Sequence, residues 1–128
     1  MPDSNRKLVL VTDPDTDWVA LLKMTLDRPE IEVRVAHNGA EALKILKDTT
    51  PHLILSETAM TGMTGLELCR QIQQNSSLKS VPFVFVSSQG QKVDVEQGLA
   101  VGAADYLVKP LDPHDLADLV YKLLIQTN

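Results

Sequence analysis

A chain of 128 residues has room for one domain and little more. It is 44% hydrophobic and 4% aromatic, so an aliphatic core is expected. Seventeen acids against twelve bases leave a net charge of -5, which disfavours direct binding to nucleic acid or an anionic membrane, because both need clustered Lys and Arg.

In chain order, residues 7–12 (KLVLVT) form an almost unbroken apolar run, the pattern of a strand covered on both faces. Residues 16–27 carry Ala20, Leu21 and Met24 at helical spacing. Residues 32–36 alternate, Val33 and Val35 against Glu32 and Arg34, which suits a half-exposed edge strand. Asn38 and Gly39 start a turn, and residues 40–47 continue as a short helix through Ala42, Leu43 and Leu46. Residues 52–55 (HLIL) read as a second covered strand, and residues 66–74 as a helix with Leu68, Cys69 and Ile72 on one side. Residues 82–87 (PFVFVS) read as a third covered strand. Residues 91–101 follow as a helix carrying Val95, Leu99 and Ala100, closed by Gly102 as a left-handed cap. Residues 105–108 (DYLV) are the last strand. Residues 113–125 form the last helix, with Leu116, Leu119, Val120, Leu123 and Leu124 as its apolar positions, Asp112 as N-cap and Pro113 at the first turn.

Strand and helix therefore alternate five times, which predicts an α/β fold: a doubly wound parallel sheet with right-handed crossovers and helices on both faces. No repeat, low-complexity tract or linker interrupts it, so residues 1–128 read as one domain with its core at residues 7–126, ending where the chain ends. No stretch approaches the roughly 18 apolar residues of a membrane helix, and residues 1–7 lack the apolar core of a signal peptide. A single cysteine cannot form an internal disulfide, so a cytoplasmic protein is expected, with Cys69 as a small buried helix residue.

In an open parallel sheet, functional groups gather at the carboxyl ends of the strands. Thr12, Asp13 and Asp15 follow the first strand, Ser56, Glu57 and Thr58 the third, Ser87 and Ser88 the fourth, Lys109 and Pro110 the fifth. Each has a plain reading alone: Asp13 and Asp15 as turn formers beside Pro14, Glu57 as a solvated acid, the serines as strand-end residues, Lys109 as surface charge. Acids, hydroxyls and a lysine from four separate loops meeting on one rim are another matter.

At this point the chain resembles the receiver domain of two-component response regulators, over residues 7–126. LVLVTD resembles the family's first strand with its acidic pair. PHLILSETAMTGMTGLEL resembles the third strand, phosphoacceptor and following loop, VPFVFVSS the fourth strand with its switch hydroxyl, and GAADYLVKP the fifth with its switch aromatic and Lys-Pro. The resemblance implies a flavodoxin-like sheet of order 2-1-3-4-5 and phosphorelay signalling. In such a domain a histidine kinase and Mg²⁺ phosphorylate an aspartate, and partners read the surface of helix four, strand five and helix five. It assigns Lys109 to the lysine, Ser87 to the hydroxyl switch, Tyr106 to the aromatic switch, Asp13 to the metal pair, and a cis bond to Lys109–Pro110. Any enzymatic activity would be the self-phosphorylation and dephosphorylation of receivers.

Three features depart from the family. Thr12 stands at the first acid of the metal pair, Glu57 stands at the phosphoacceptor, and Thr61 and Thr64 replace the usual proline and aspartate of the loop. Glutamate is one methylene longer than aspartate, which misplaces a nucleophile needed to within about 1 Å. Its carboxylate is expected to reach Lys109 and hydrogen-bond Ser87, imitating a phosphorylated site. Asp13, Glu57 and the Ala59 carbonyl leave a weak or absent Mg²⁺ site. The expected molecule is therefore a pseudo-receiver, a monomer or weak homodimer that binds a kinase or a downstream signalling protein without phosphorylation at residue 57.

Two rivals stand beside it. One is a working receiver, phosphorylated at Glu57, Asp13 or Asp15. The other is an unrelated FMN-binding domain, which the acidic loop Thr12–Asp17 argues against; no GxGxxG or Walker lysine loop is present either. Trp18 is read as packing at a helix edge, or as capping the acidic rim. His37, His52 and His114 share no metal-ligand spacing, and Met60 and Met63 read as loop and core packing. Leu99, Tyr106, Leu111 and Tyr121 fall on or near the output face.

Overall fold

The computed structural model describes residues 6–126, so residues 1–5 and 127–128 of the single-domain span lie outside the described residues. Five strands, β1 (Lys7–Thr12), β2 (Ile31–Ala36), β3 (Leu53–Ser56), β4 (Phe83–Ser87) and β5 (Asp105–Val108), alternate with α1 (Thr16–Leu26), α2 (Gly39–Leu46), α3 (Gly65–Gln73), α4 (Lys92–Ala100) and α5 (Pro113–Tyr121). All pairings are parallel and the sheet order is β2-β1-β3-β4-β5, as the resemblance implied.

The continuous apolar runs are explained by two cores. Alternate side chains of a strand point to opposite faces. Val9, Val11, Leu53, Leu55, Val84 and Val86 therefore join one cluster with Val19 and Leu22 of α1 and Leu116 of α5. Leu10, Ile54, Phe83 and Phe85 join the other, with Ala42 of α2 and Leu68, Cys69 and Ile72 of α3. Strand β2 is an edge, as its alternation predicts.

Local signals set the helix ends. Asp15 caps α1 by accepting the amides of Asp17 and Trp18, Asn38 caps α2, and Thr64 and Glu67 form a capping box on α3. The loop drift at Thr64 is thus a helix cap. Asp112 caps α5 with Pro113 in its first turn. Gly102 follows α4 at φ +110°, a backbone that favours glycine.

Three helical faces differ from expectation. Helix α1 buries Val19, Leu22 and Leu26, while Ala20, Leu21 and Met24 face outward, Met24 at 80% exposure. Both stripes are apolar at helical spacing, so periodicity could not choose between them. Helix α4 buries only Gly98; Val95 is half-buried and Leu99 and Ala100 are exposed. Helix α5 buries Leu116, Ala117 and Val120 but leaves Leu119 and Leu123 exposed, and it continues as a π-helical segment, Lys122–Gln126.

Cys69 is fully buried, its Sγ 3.7 Å from the Val101 carbonyl oxygen, and burial pushes its thiol up to about 11. Since the thiolate is the reactive form, iodoacetamide at neutral pH is expected to leave Cys69 unmodified in the native protein and to label it fully in urea; mass spectrometry checks this. Among the described residues, no helix is long and apolar enough to cross a membrane.

Candidate functional site

Strand register builds the rim. Thr12 lies beside Ser56, and Ser87 beside Val108, so the next residues, Asp13, Glu57 and Lys109, leave the sheet at neighbouring points. The backbone ladder extends one step further to hold them. The Asp13 N–H donates to the Ala36 carbonyl at 3.0 Å, Glu57 N–H to Thr12 at 3.0 Å, and Lys109 N–H to Ser87 at 2.8 Å. Lys109–Pro110 is cis.

The four expected groups do meet, in a specific arrangement. The Lys109 ammonium donates to Asp13 Oδ2 at 2.7 Å and to Glu57 Oε2 at 3.3 Å, and all three side chains are largely shielded from water. Glu57 Oε1 accepts the amides of Thr58 at 2.7 Å and Ala59 at 3.4 Å, and the Thr58 hydroxyl at 3.2 Å. Asp13 Oδ1 accepts the Asp15 amide at 2.9 Å. Each carboxylate oxygen of the pair therefore already has a protein donor. Ala59 comes to the site through its amide.

Ser87 acts on Glu57 as expected, its hydroxyl helping to hold the carboxyl low, and a second hydroxyl joins the pair. The Thr58 hydroxyl touches both, 3.2 Å from Glu57 Oε1 and 2.7 Å from Ser87 Oγ. Ser87 Oγ also accepts the Gln89 amide at 3.0 Å. Thr58 follows Glu57 on the same loop, which delivers its hydroxyl to this place. Burial pushes the Glu57 carboxyl up. The neighbouring Ser87 hydroxyl, the Thr58 amide, the Lys109 ammonium and the Ala59 amide pull it down, and the balance holds it below the ordinary carboxylate range.

Tyr106 is inward. It is 7% exposed, its ring sits 5.5 Å from that of Phe85, and its hydroxyl donates to the Gln89 carbonyl. Asp15 is exposed, and its side chain caps α1. Thr12 is wholly buried, and its hydroxyl has no hydrogen-bond partner among the described residues.

Trp18 packs against the α1–α5 core, and the Lys109 ammonium lies 5.1 Å from its ring centroid, a cation–π distance. Trp18, Ser88, Lys109, Pro110 and Leu111 line a shallow cavity beside the acidic pair. Among the described residues, no cluster of three or more His, Cys, Asp or Glu is placed to hold a metal.

Two participants do not stand out in the sequence. Thr58 reads there only as a strand-end hydroxyl. Gly98, whose added Cβ would lie 2.6 Å from the Tyr106 ring, gives no signal at all, because that ring comes from β5 and the glycine from α4.

The response regulator receiver domain profile matches residues 9–121. The transcriptional regulatory protein ResD of Bacillus subtilis is 33% identical over 124 residues, 97% of this chain and 50% of ResD. The DNA-binding response regulator MtrA of Mycobacterium bovis is 32% identical over 114 residues, 89% of this chain and 49% of MtrA. The chain thus spans about half the length of these curated relatives. Among solved structures, the chemotaxis response regulator CheY4 of Vibrio cholerae superposes with a TM-score of 0.85 at 28% identity, covering 93% of this chain and 99% of CheY4. With the sheet order, the rim chemistry and this similarity in agreement, the chain belongs to the response regulator receiver domain family of two-component signalling.

Proposed function

We propose that this receiver domain is a protein-interaction module whose output is set without phosphorylation at residue 57. The observation that carries the reading is the state of Glu57, whose carboxylate is held by Lys109, two amides and a hydroxyl while Tyr106 is already inward. A nucleophile needs a lone pair aimed in line at phosphorus, and here Oε1 carries three donors while Oε2 is turned to the Lys109 ammonium. Glu57 serves instead as a fixed negative charge where an aspartyl phosphate would place its own.

Metal use follows the same logic. Mg²⁺ asks for six oxygens in near-octahedral array, normally one or two carboxylates plus waters. Here the neutral Thr12 removes one acid, and the Lys109 ammonium occupies the shared face of Asp13 and Glu57. That donor set does not match a tight Mg²⁺ site.

The partner surface is the α4–β5–α5 face, where Val93, Leu99, Val108, Leu119 and Leu123 are exposed, and the partner is a histidine kinase or a downstream signalling protein. Incubation of the purified chain with a small-molecule acyl phosphate donor and Mg²⁺, followed by intact-mass spectrometry, tests the reading. The expected spectrum shows no phosphoryl adduct. Stoichiometric acyl phosphate on Glu57, Asp13 or Asp15 would mean a working receiver phosphorylated by a kinase with Mg²⁺.

A further inference from the structure

The β3–α3 loop places one hydroxyl in the gap between the acidic site and the switch serine. Thr58 Oγ1 lies 3.2 Å from Glu57 Oε1 and 2.7 Å from Ser87 Oγ. A carboxylate only accepts, so the two hydroxyls can only donate towards Glu57, while between Thr58 and Ser87 either oxygen can give the hydrogen. The Ser87 oxygen also accepts the Gln89 N–H at 3.0 Å. A series of hydroxyls that ends on a negative charge is the arrangement in which such bonds reinforce one another.

Gln89 is the far end of this chain and the near end of the next contact. Its N–H is held by Ser87 and its carbonyl accepts the Tyr106 hydroxyl. The two peptide units that flank the Gln89 Cα are thus pinned, one by Ser87 and the other by Tyr106. The Tyr106 ring fits beneath them because position 98 has no side chain: a Cβ there would lie 2.6 Å from Tyr106 Cδ2 and 3.0 Å from Phe85 Cδ2.

We propose that Thr58 is the positioning residue that holds Ser87, Gln89 and Tyr106 in the inward arrangement, its hydroxyl spanning the interval that a phosphoryl group would otherwise bridge. The inference rests on Ser87 and Tyr106 being the switch pair, and it adds the group that couples them to Glu57. The Thr58 amide bonds Glu57 independently of the side chain, so removing only the hydroxyl leaves the carboxylate anchored and isolates the bridge.

The test compares Thr58→Val, which keeps the shape without the hydroxyl, with Thr58→Ser, which keeps the hydroxyl. In Thr58→Val, hydrogen exchange at the Gln89 amide is expected to speed up roughly five- to tenfold, the consequence of weakening one hydrogen bond. Nuclear Overhauser contacts from the Tyr106 ring to Gly98 are expected to weaken together with it. Thr58→Ser is expected to restore both readouts. Thr58→Ala, which brings no new bulk, carries the same expectation if valine unfolds the loop. Unchanged Gln89 exchange and Tyr106 contacts in the folded Val or Ala variant overturn the bridge. That failure is distinct from failure of the functional reading, which only phosphorylation of the native chain would bring about.

Discussion

Lys109→Met is expected to destabilise the fold by about 3–5 kcal/mol at neutral pH, because breaking a buried ion pair leaves the charge behind. Here it leaves two. Asp13 and Glu57 are only 3% and 6% exposed, and Lys109 is the cation that both touch. Methionine keeps the aliphatic stem, so the packing against Trp18 changes little and the loss is mainly electrostatic. Urea unfolding of the two proteins across a pH series checks the assignment.

The sign of the pH effect follows from Glu57. Its carboxyl titrates below the ordinary value of 4.5 in the folded chain, so acidification protonates the unfolded chain first. The native protein therefore holds this contribution fully above the unfolded value and loses it as pH falls through the folded one. The variant lacks the ammonium that helps to hold the Glu57 carboxyl low. The stability gap is thus expected to keep its size above about pH 4.5 and to narrow as pH falls below it. A gap that stays constant below about pH 4.5 would mean that Lys109 matters through packing alone.

The second large effect is a gain. Joint replacement of Thr12→Asp and Glu57→Asp rebuilds an acidic triad with Asp13 and withdraws the carboxylate by one methylene. Without metal the pair of changes is expected to destabilise the chain, since position 12 is completely buried and its hydroxyl already lacks a partner among the described residues. With Mg²⁺ the loss should be recovered, by about 2.7 kcal/mol when the ion stands at a hundred times its dissociation constant. An acyl phosphate donor should then phosphorylate the variant at least ~100-fold faster than the native chain, the scale set by an ångström of nucleophile misplacement. Thermal unfolding with and without Mg²⁺ and a time course of intact mass measure the two halves. Equal phosphorylation of native and variant chains would show that the methylene and the missing acid do not limit the reaction.

Seen with these two variants, the site has one economy of charge. Two carboxylates and one ammonium leave a single net negative charge on a rim closed by Trp18 on one side and by the Thr58–Ser87 contact on the other. Adding an acid calls for a metal, and removing the ammonium calls for protons.

The strands, their order of appearance and the rim residues were open to reading in the amino-acid sequence. Parallel strands covered on both faces leave unbroken apolar runs, and polar residues at their carboxyl ends stand out against them: Asp13, Glu57, Ser87 and Lys109 were all visible in this way. The cap of the last helix was legible for the same local reason, since Asp112 bonds the His114 amide two residues away, whereas Asn38 reads in the sequence only as the start of a turn. What the folded chain alone decided depends on contacts between distant segments. Helix α1 offered two apolar stripes, and only docking against the sheet and α5 chose Val19, Leu22 and Leu26 over Leu21 and Met24. Thr58 entered the site because β3 and β4 are neighbours, which brings its hydroxyl to Ser87, 29 positions along the chain. Gly98 matters because the ring of Tyr106 fills the space that it leaves. Local pattern encodes which groups reach the rim; which atom bonds which is settled by packing at the scale of a single methylene, and that scale exists only after the sheet has assembled.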